Sequence, residues 1–99
     1  MEDKKSAEIK IEIDEQTANG MYSNLAVISH SDSEFVMDFI FFHPQSPKAK
    51  VRARIITSPA HAKKMMFALK DNLAKYEAKF GEIKETALQT PKAKTEYYN

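Results

Sequence analysis

The side chains that could carry out chemistry are few in this chain, and they form no recognisable motif. His30, His43 and His61 are 13 and 18 residues apart, which matches neither the i, i+2 nor the i, i+4 spacing of paired metal ligands. Cysteine is absent, so thiolate metal sites and thiol nucleophiles are excluded together. The two glycines, Gly20 and Gly81, stand alone and cannot form a phosphate-binding loop. We therefore predict no catalytic residue, no metal site and no cofactor, and a protein that is not an enzyme.

One acid lies inside an apolar run and needs an explanation. Asp38 is flanked by Met37 and Phe39, and the predicted register places it directly opposite Arg52. A buried carboxylate with a raised pKa can be catalytic, but no second acid or histidine accompanies this one. We favour a cross-strand ion pair that fixes the register of two strands.

The net charge of +1 conceals two halves of opposite sign. Residues 1–47 contain nine acids and three lysines, whereas residues 48–99 contain twelve bases and five acids. A basic patch of Lys50, Arg52 and Arg54 could bind the phosphates of a nucleic acid. The isoelectric point near 7.9 is low for a dedicated nucleic-acid binder. We favour neutralisation by the acidic half and keep nucleic-acid association as the weaker alternative.

Four strands and one helix are predicted to position these residues. Ile9, Ile11 and Ile13 alternate with charged residues, which is typical of a half-buried strand. Polar or proline-containing breaks separate the later apolar runs, as in β-hairpins. The predicted strands cover residues 7–14, 21–30, 34–42 and 49–57.

The helix is predicted over residues 59–80. Ser58 is suited to the N-cap, Pro59 to the first turn, and Gly81 to the positive φ that often ends a helix. Apolar side chains recur every three or four residues, at Ala62, Met66, Leu69, Leu73, Tyr76 and Phe80. This stripe predicts packing on the sheet. A coiled-coil seam is the alternative, although two and a half heptads are short for one.

Together these elements predict an α+β domain, a four-stranded antiparallel β-meander followed by one long C-terminal helix packed on one sheet face. We expect a flexible lead-in at 1–6, a single domain at 7–84 and a disordered tail at 85–99. A three-residue loop after His30 would place Leu25 and Val27 beside Met37 and Phe39 on the covered face. The other face is expected to be exposed in a monomer or to meet a second subunit. Its predicted interface residues are Tyr22, Val36, Ile40, Phe42 and Ile56.

Several short motifs follow one another in a familiar order. They are Gly20-x-Tyr22-x-Asn24-Leu25, Ser33-Glu34-Phe35-x-x-Asp38-Phe39, Ala49-x-Val51-x-x-Arg54, Thr57-x-Pro59-x-His61-Ala62-Lys63 and Tyr76-Glu77-x-x-Phe80-Gly81-x-Ile83. Over roughly residues 7–84 the chain resembles the prokaryotic domain-of-unknown-function 3467 family. The resemblance implies a cytoplasmic domain of this length and supplies no activity or catalytic residue. A weaker likeness, at the level of the fold alone, is to the export chaperone SecB.

The expected function is that of a non-enzymatic, oligomeric interaction or structural domain. We expect a cytoplasmic homodimer or higher homo-oligomer with an unknown protein partner and no membrane association, because neither a signal peptide nor a spanning segment is recognisable. One alternative is a SecB-like holdase that binds unfolded polypeptide. The other is a nucleic-acid-associated protein that uses the basic strand.

Overall fold

The computed structural model describes residues 8–85, which form a three-stranded antiparallel sheet followed by a long helix. The strands lie in the order β1-β2-β3, so β2 is central. The predicted α+β class is confirmed. The elements are α1 (Glu15–Asn19), β1 (Leu25–His30), β2 (Phe35–Ile40), β3 (Val51–Thr57) and α2 (Pro59–Phe80).

A fourth strand is not present among the described residues. Residues 8–14, here called the N-terminal segment, belong to no helix or strand. The predicted strand at 7–14 is therefore not observed, and its first residue lies outside the described part of the chain. Alternating isoleucines favour a strand only where a sheet edge is beside them, and none of the three strands pairs with this segment. The predicted polar connection after it contains the single helical turn α1.

The first hairpin is present, but its register differs by one residue from the prediction. The loop has four residues rather than three, because Ser31 N–H donates to the carbonyl of Glu34 and the ladder begins at His30 opposite Phe35. Leu25 therefore lies opposite Ile40, and Val27 lies opposite Asp38. A shift of one residue moves every side chain of β1 to the other face of β2. The predicted grouping of Leu25 and Val27 with Met37 and Phe39 is wrong for this reason.

The second hairpin contains the predicted ion pair with a different basic partner. Asp38 lies opposite Arg54, two residues from the predicted Arg52. The ladder is irregular between Phe39 and Ile40, where two residues of β2 face three of β3. Such a bulge places an extra residue in one strand. A shift of two residues keeps the face, so the cross-strand ion pair forms even though the predicted partner is wrong.

Helix α2 has the predicted bounds and the predicted ends. The hydroxyl of Ser58 accepts a hydrogen bond from the backbone N–H of His61 at 3.1 Å, and Pro59 occupies the first turn. Gly81 ends the helix with φ +99°, a conformation in which glycine avoids the strain of a Cβ atom. At 1.5 Å per residue, the 22-residue helix is about 33 Å long.

The predicted packing of this helix on the sheet is wrong. None of its residues is buried, and the buried side chains of the described chain are Met37, Asp38 and Ile40, all on β2. Ser58 alone connects β3 to α2. A one-residue connection is shorter than the two to six residues that usually let a helix fold back over a strand. The helix therefore continues away from the sheet and leaves its apolar side uncovered.

Candidate self-association surface

One side of α2 is an uncovered apolar surface of the described chain. Ala62 is half-buried, and the other five members of the predicted stripe are exposed. Spacings of three and four residues keep all six on one side of the helix. We call this group the α2 seam, and its exposed fractions are Met66 53%, Leu69 62%, Leu73 43%, Tyr76 49% and Phe80 66%.

The opposite side of α2 carries mainly charged side chains. Lys64 projects from it near the exposed Phe67, Asp71 pairs with Lys75 one turn later at 3.1 Å, and Lys63 and Lys70 lie at the border of the seam. Exposed ion pairs of this kind are common on the solvated side of a helix. The helix is therefore amphipathic, and its apolar half is the one without a partner among the described residues.

The end of the seam is locally ordered by aromatic and polar contacts. The rings of Tyr76 and Phe80 lie 4.9 Å apart between centroids. The Glu77 carboxylate accepts a hydrogen bond from the backbone N–H of Ile83 at 2.9 Å, which folds the chain after Gly81 back toward the helix. Asn72 beside the seam donates to the carbonyl of Ala68. These contacts order the C-terminal half of the seam.

The N-terminal segment is the second uncovered apolar feature. Ile9, Ile11 and Ile13 are 77%, 83% and 66% exposed. Lys10 Nζ lies 3.7 Å from a carboxylate oxygen of Glu12, the backbone of residues 8–14 has no turn or bend, and side chains two residues apart share a side in extended backbone. The isoleucines therefore alternate with the charged side chains along an extended stretch.

The start of β1 is tied to the end of β2 by side-chain hydrogen bonds. Asn24 donates from Nδ2 to the carbonyl of Phe42 at 2.8 Å and accepts at Oδ1 from the N–H of Phe42 at 2.7 Å. The amide group thus imitates a further pair of backbone bonds in the ladder. Tyr22 packs edge to face on Phe41, with centroids 6.0 Å apart. Beside these residues lies an open groove of about 640 Å³, lined by Met21, Tyr22, Ser23, Asn24, Leu25, Ala26 and Phe39.

The predicted interface residues are not equally exposed. Tyr22 is 71% exposed and Ile56 is 54% exposed, whereas Val36 and Phe42 are half-buried. Ile40 is 6% exposed, so the expectation that it is exposed in a monomer is wrong. The α2 seam is missing from the predicted set because it was predicted to pack on the sheet, and the N-terminal segment is missing because it was predicted to be a half-buried strand. The single residue between β3 and α2 is the signal in the sequence that could have found the seam.

The basic patch is partly occupied by the ion pair. Arg54 donates to Asp38 through Nε at 2.7 Å and through Nη2 at 2.8 Å, which is a two-point contact with a fully buried carboxylate. Lys50 precedes β3, and the exposed Arg52 lies at the bulge. The positive charge that faces solvent on this strand therefore comes from Lys50, Arg52 and the half-exposed guanidinium of Arg54.

Each of the three histidines contacts a different neighbour. His30 stacks on Phe35 at 5.3 Å, and His61 Nδ1 lies 2.7 Å from the Thr57 hydroxyl. His43 contacts the edge of Phe41. Within residues 8–85, no group of three or more His, Asp or Glu side chains is placed to hold a metal ion. In the same part of the chain, no helix has the length and apolar character needed to cross a membrane.

These features define a small α+β domain whose longest helix presents an uncovered apolar seam. A family model described as "Protein of unknown function (DUF3467)" matches residues 1–85. The chain belongs to this family, as its motifs indicate. No curated protein and no solved structure matches the chain, so the likeness to SecB has no support from structural comparison.

Proposed function

We propose that this chain is a non-enzymatic interaction domain that acts as a homo-oligomer, with a homodimer as the basic unit. The observation that carries the proposal is the α2 seam, in which five large apolar side chains are 43–66% exposed on one side of a 22-residue helix. A contiguous apolar surface of this kind usually marks an interface.

A second copy of the chain is the partner best suited to this surface. The seam has the three-and-four spacing that lets two identical helices interlock their side chains. The acidic half of the sequence, residues 1–47, and the basic half, residues 48–99, have opposite net charge. Twofold symmetry repeats any contact between the acidic half of one copy and the basic half of the other. The two α2 helices both belong to the basic half, so the seam itself favours self-association by its apolar contacts.

The alternative functions lack a supporting observation of their own. A holdase would need a surface that accepts many different chains, whereas the seam has the regular spacing of a helix that pairs with one partner. For nucleic acid, Arg54 is committed in part to Asp38, which weakens the patch formed with Lys50 and Arg52. We propose a cytoplasmic location with the homo-oligomer, on the grounds of composition alone.

Light scattering coupled to size-exclusion chromatography tests the proposal directly. The full chain has a mass of 11.3 kDa, and we expect twice that mass, or a higher multiple, at micromolar concentration. Dilution should shift the equilibrium toward the monomer, and circular dichroism should keep its helical signal because α2 is formed within the single chain. A mass of 11.3 kDa at every concentration up to 100 μM would contradict the proposal.

A further inference from the structure

Building on the proposed homo-oligomer, we propose that the N-terminal segment of one copy pairs as an additional β-strand with the outer edge of β3 in a second copy. The segment supplies residues 8–14, and β3 supplies Val51–Thr57. The class of interaction is β-strand addition, in which backbone hydrogen bonds provide affinity and alternate side chains provide specificity.

The segment has the conformation and the pattern of a strand that lacks a sheet. It is extended at Lys10 and Glu12, whose side chains pair on one side. Ile9, Ile11 and Ile13 lie on the other side and are 66–83% exposed. Extended, alternating apolar segments of this kind are stabilised when they join an edge, because pairing satisfies the backbone and buries one row of side chains.

Two sheet edges are unpaired among residues 8–85, those of β1 and β3, and charge distinguishes between them. The segment carries Glu8, Glu12 and Asp14 against Lys10, a net charge of −2. A hydrogen bond with the Thr17 side chain is the main cause that lowers the pKa of Asp14, and this carboxylate is charged at neutral pH. Strand β1 carries no acid and no lysine or arginine.

Strand β3, by contrast, has the complementary charge. Arg52 and Arg54 lie within it, and Lys48 and Lys50 immediately precede it. Opposite charges directly across a strand pair stabilise it, and like charges destabilise it. The acidic segment therefore fits the β3 edge, where Ile55 is 48% exposed, lies on the opposite face of β3 from Arg54 and can contact the isoleucines.

The segment can reach the β3 edge of a second copy by a simpler path than the β3 edge of its own chain. The chain that follows the segment is anchored at the β1 side of the sheet, because Asn24 is bonded to Phe42 and its N–H donates to the carbonyl of Ile40. To reach its own β3, the segment would have to cross the face of β1 and β2. Reciprocal exchange between two copies avoids that crossing and pairs both segments at once.

Engineered cysteines can test this inference without background, because the chain contains none of its own. One set of full-length variants carries Glu8→Cys, Lys10→Cys or Glu12→Cys, which samples the possible registers. A second, tagged variant carries Arg52→Cys. The two are unfolded, mixed, refolded together and oxidised, and non-reducing gels are read for a disulfide-linked dimer of one tagged and one untagged chain.

We expect at least one variant of the first set to form this mixed dimer with the tagged Arg52→Cys variant. A matched tagged variant, Ile28→Cys on β1, should give at least tenfold less product. Preferential cross-linking to Ile28→Cys would overturn the assignment to β3. A chain carrying both Glu12→Cys and Arg52→Cys should form dimers rather than an internal disulfide, and the internal disulfide would overturn exchange between copies.

The failure of this inference is distinguishable from the failure of the proposed function. We expect Ile11→Ser to raise the dimer dissociation constant at least tenfold, and Lys10→Gln to change it less than threefold. If Ile11→Ser dimerises as tightly as the unmodified chain, strand addition is wrong while self-association through α2 stands. If the unmodified chain is monomeric by light scattering, the proposed function itself is wrong.

Discussion

In the proposed homodimer, replacing Leu69 by aspartate should separate the two copies while leaving each chain folded. Leu69 lies at the middle of the α2 seam and is 62% exposed within one chain. If the seam is the interface, Leu69→Asp removes apolar contact there and puts a carboxylate in its place. If the seam faces solvent in the working protein, the same change alters nothing but local helix propensity.

The size of the effect follows from the exposure of this side chain. Full burial of a leucine contributes about 1.5–3 kcal/mol, so covering the 62% that is exposed contributes about 1–2 kcal/mol per copy. Twofold symmetry doubles this value, and a carboxylate held in an apolar interface adds a desolvation cost of several kcal/mol. A total loss of at least about 4 kcal/mol raises the dissociation constant about a thousandfold, at about 1.4 kcal/mol for each factor of ten.

The chain offers a matched control for this variant. Phe67 lies two residues away in the same helix, about 160° around the axis from Leu69, and is 52% exposed. Phe67→Asp makes the same change from a large apolar side chain to a carboxylate, but outside the seam. Sedimentation equilibrium or light scattering over a dilution series should give a monomer for Leu69→Asp and the unmodified dissociation constant, within a factor of three, for Phe67→Asp.

Two results would refute this reasoning. The first is an unchanged dissociation constant for Leu69→Asp in a chain whose circular dichroism shows an intact helix. The second is equal dissociation by both variants, which would show that helix stability and not the seam controls assembly. In either case the apolar side of α2 would not be the interface.

Three further predictions concern the stability of the single chain. Asp38→Ala removes both hydrogen bonds with Arg54 and should lower the free energy of unfolding in urea by about 2–3 kcal/mol. This loss is smaller than for a fully buried pair, because the Arg54 side chain is 45% exposed. Asn24→Ala removes both bonds to the backbone of Phe42, and hydrogen exchange should show about tenfold faster exchange of the Phe42 amide, since the two bonds contribute about 1–2 kcal/mol. Ser58→Ala removes the N-cap of α2 and should cost about 1 kcal/mol in thermal unfolding followed by circular dichroism.

Each of these predictions has a control within the same site. Arg52→Ala, on the same strand as Arg54, should change the free energy of unfolding by less than about 0.5 kcal/mol; a loss equal to that of Asp38→Ala would contradict the assigned pairing. Asn24→Asp keeps the acceptor and should protect the Phe42 amide better than alanine does. Ser58→Asp keeps a capping oxygen and should restore the melting temperature. If alanine and aspartate at position 58 behave alike, the cap contributes nothing.

The parts of the fold that depend on neighbours in sequence were predictable. The bounds of α2 follow from Ser58, Pro59 and Gly81, which act through local backbone geometry. The hairpin of β1 and β2 and the placement of β3 follow from apolar runs separated by polar breaks. The family, too, is recognisable from the order of short motifs, and the match over residues 1–85 confirms it.

The details that depend on loop length were harder to predict from the sequence. The hydroxyl of Ser31 accepts from the backbone N–H groups of Ser33 and Glu34, and the four-residue turn moved β1 by one residue relative to β2. A bulge near Ile40 and a two-residue shift exchanged Arg52 for Arg54 as the partner of Asp38. Both differences are one or two residues long, yet they decide which side chains share a face.

The sequence by itself determined which segments are amphipathic, because periodicity depends only on residue order: the isoleucines of the N-terminal segment alternate, and the α2 seam recurs every three or four residues. It did not determine what covers those apolar sides. The tertiary structure decided whether the rest of the chain covers them, since Ser58 alone connects β3 to α2 and no α2 residue is buried. An apolar stripe predicts burial, but only the path of the chain shows whether that burial occurs within one molecule.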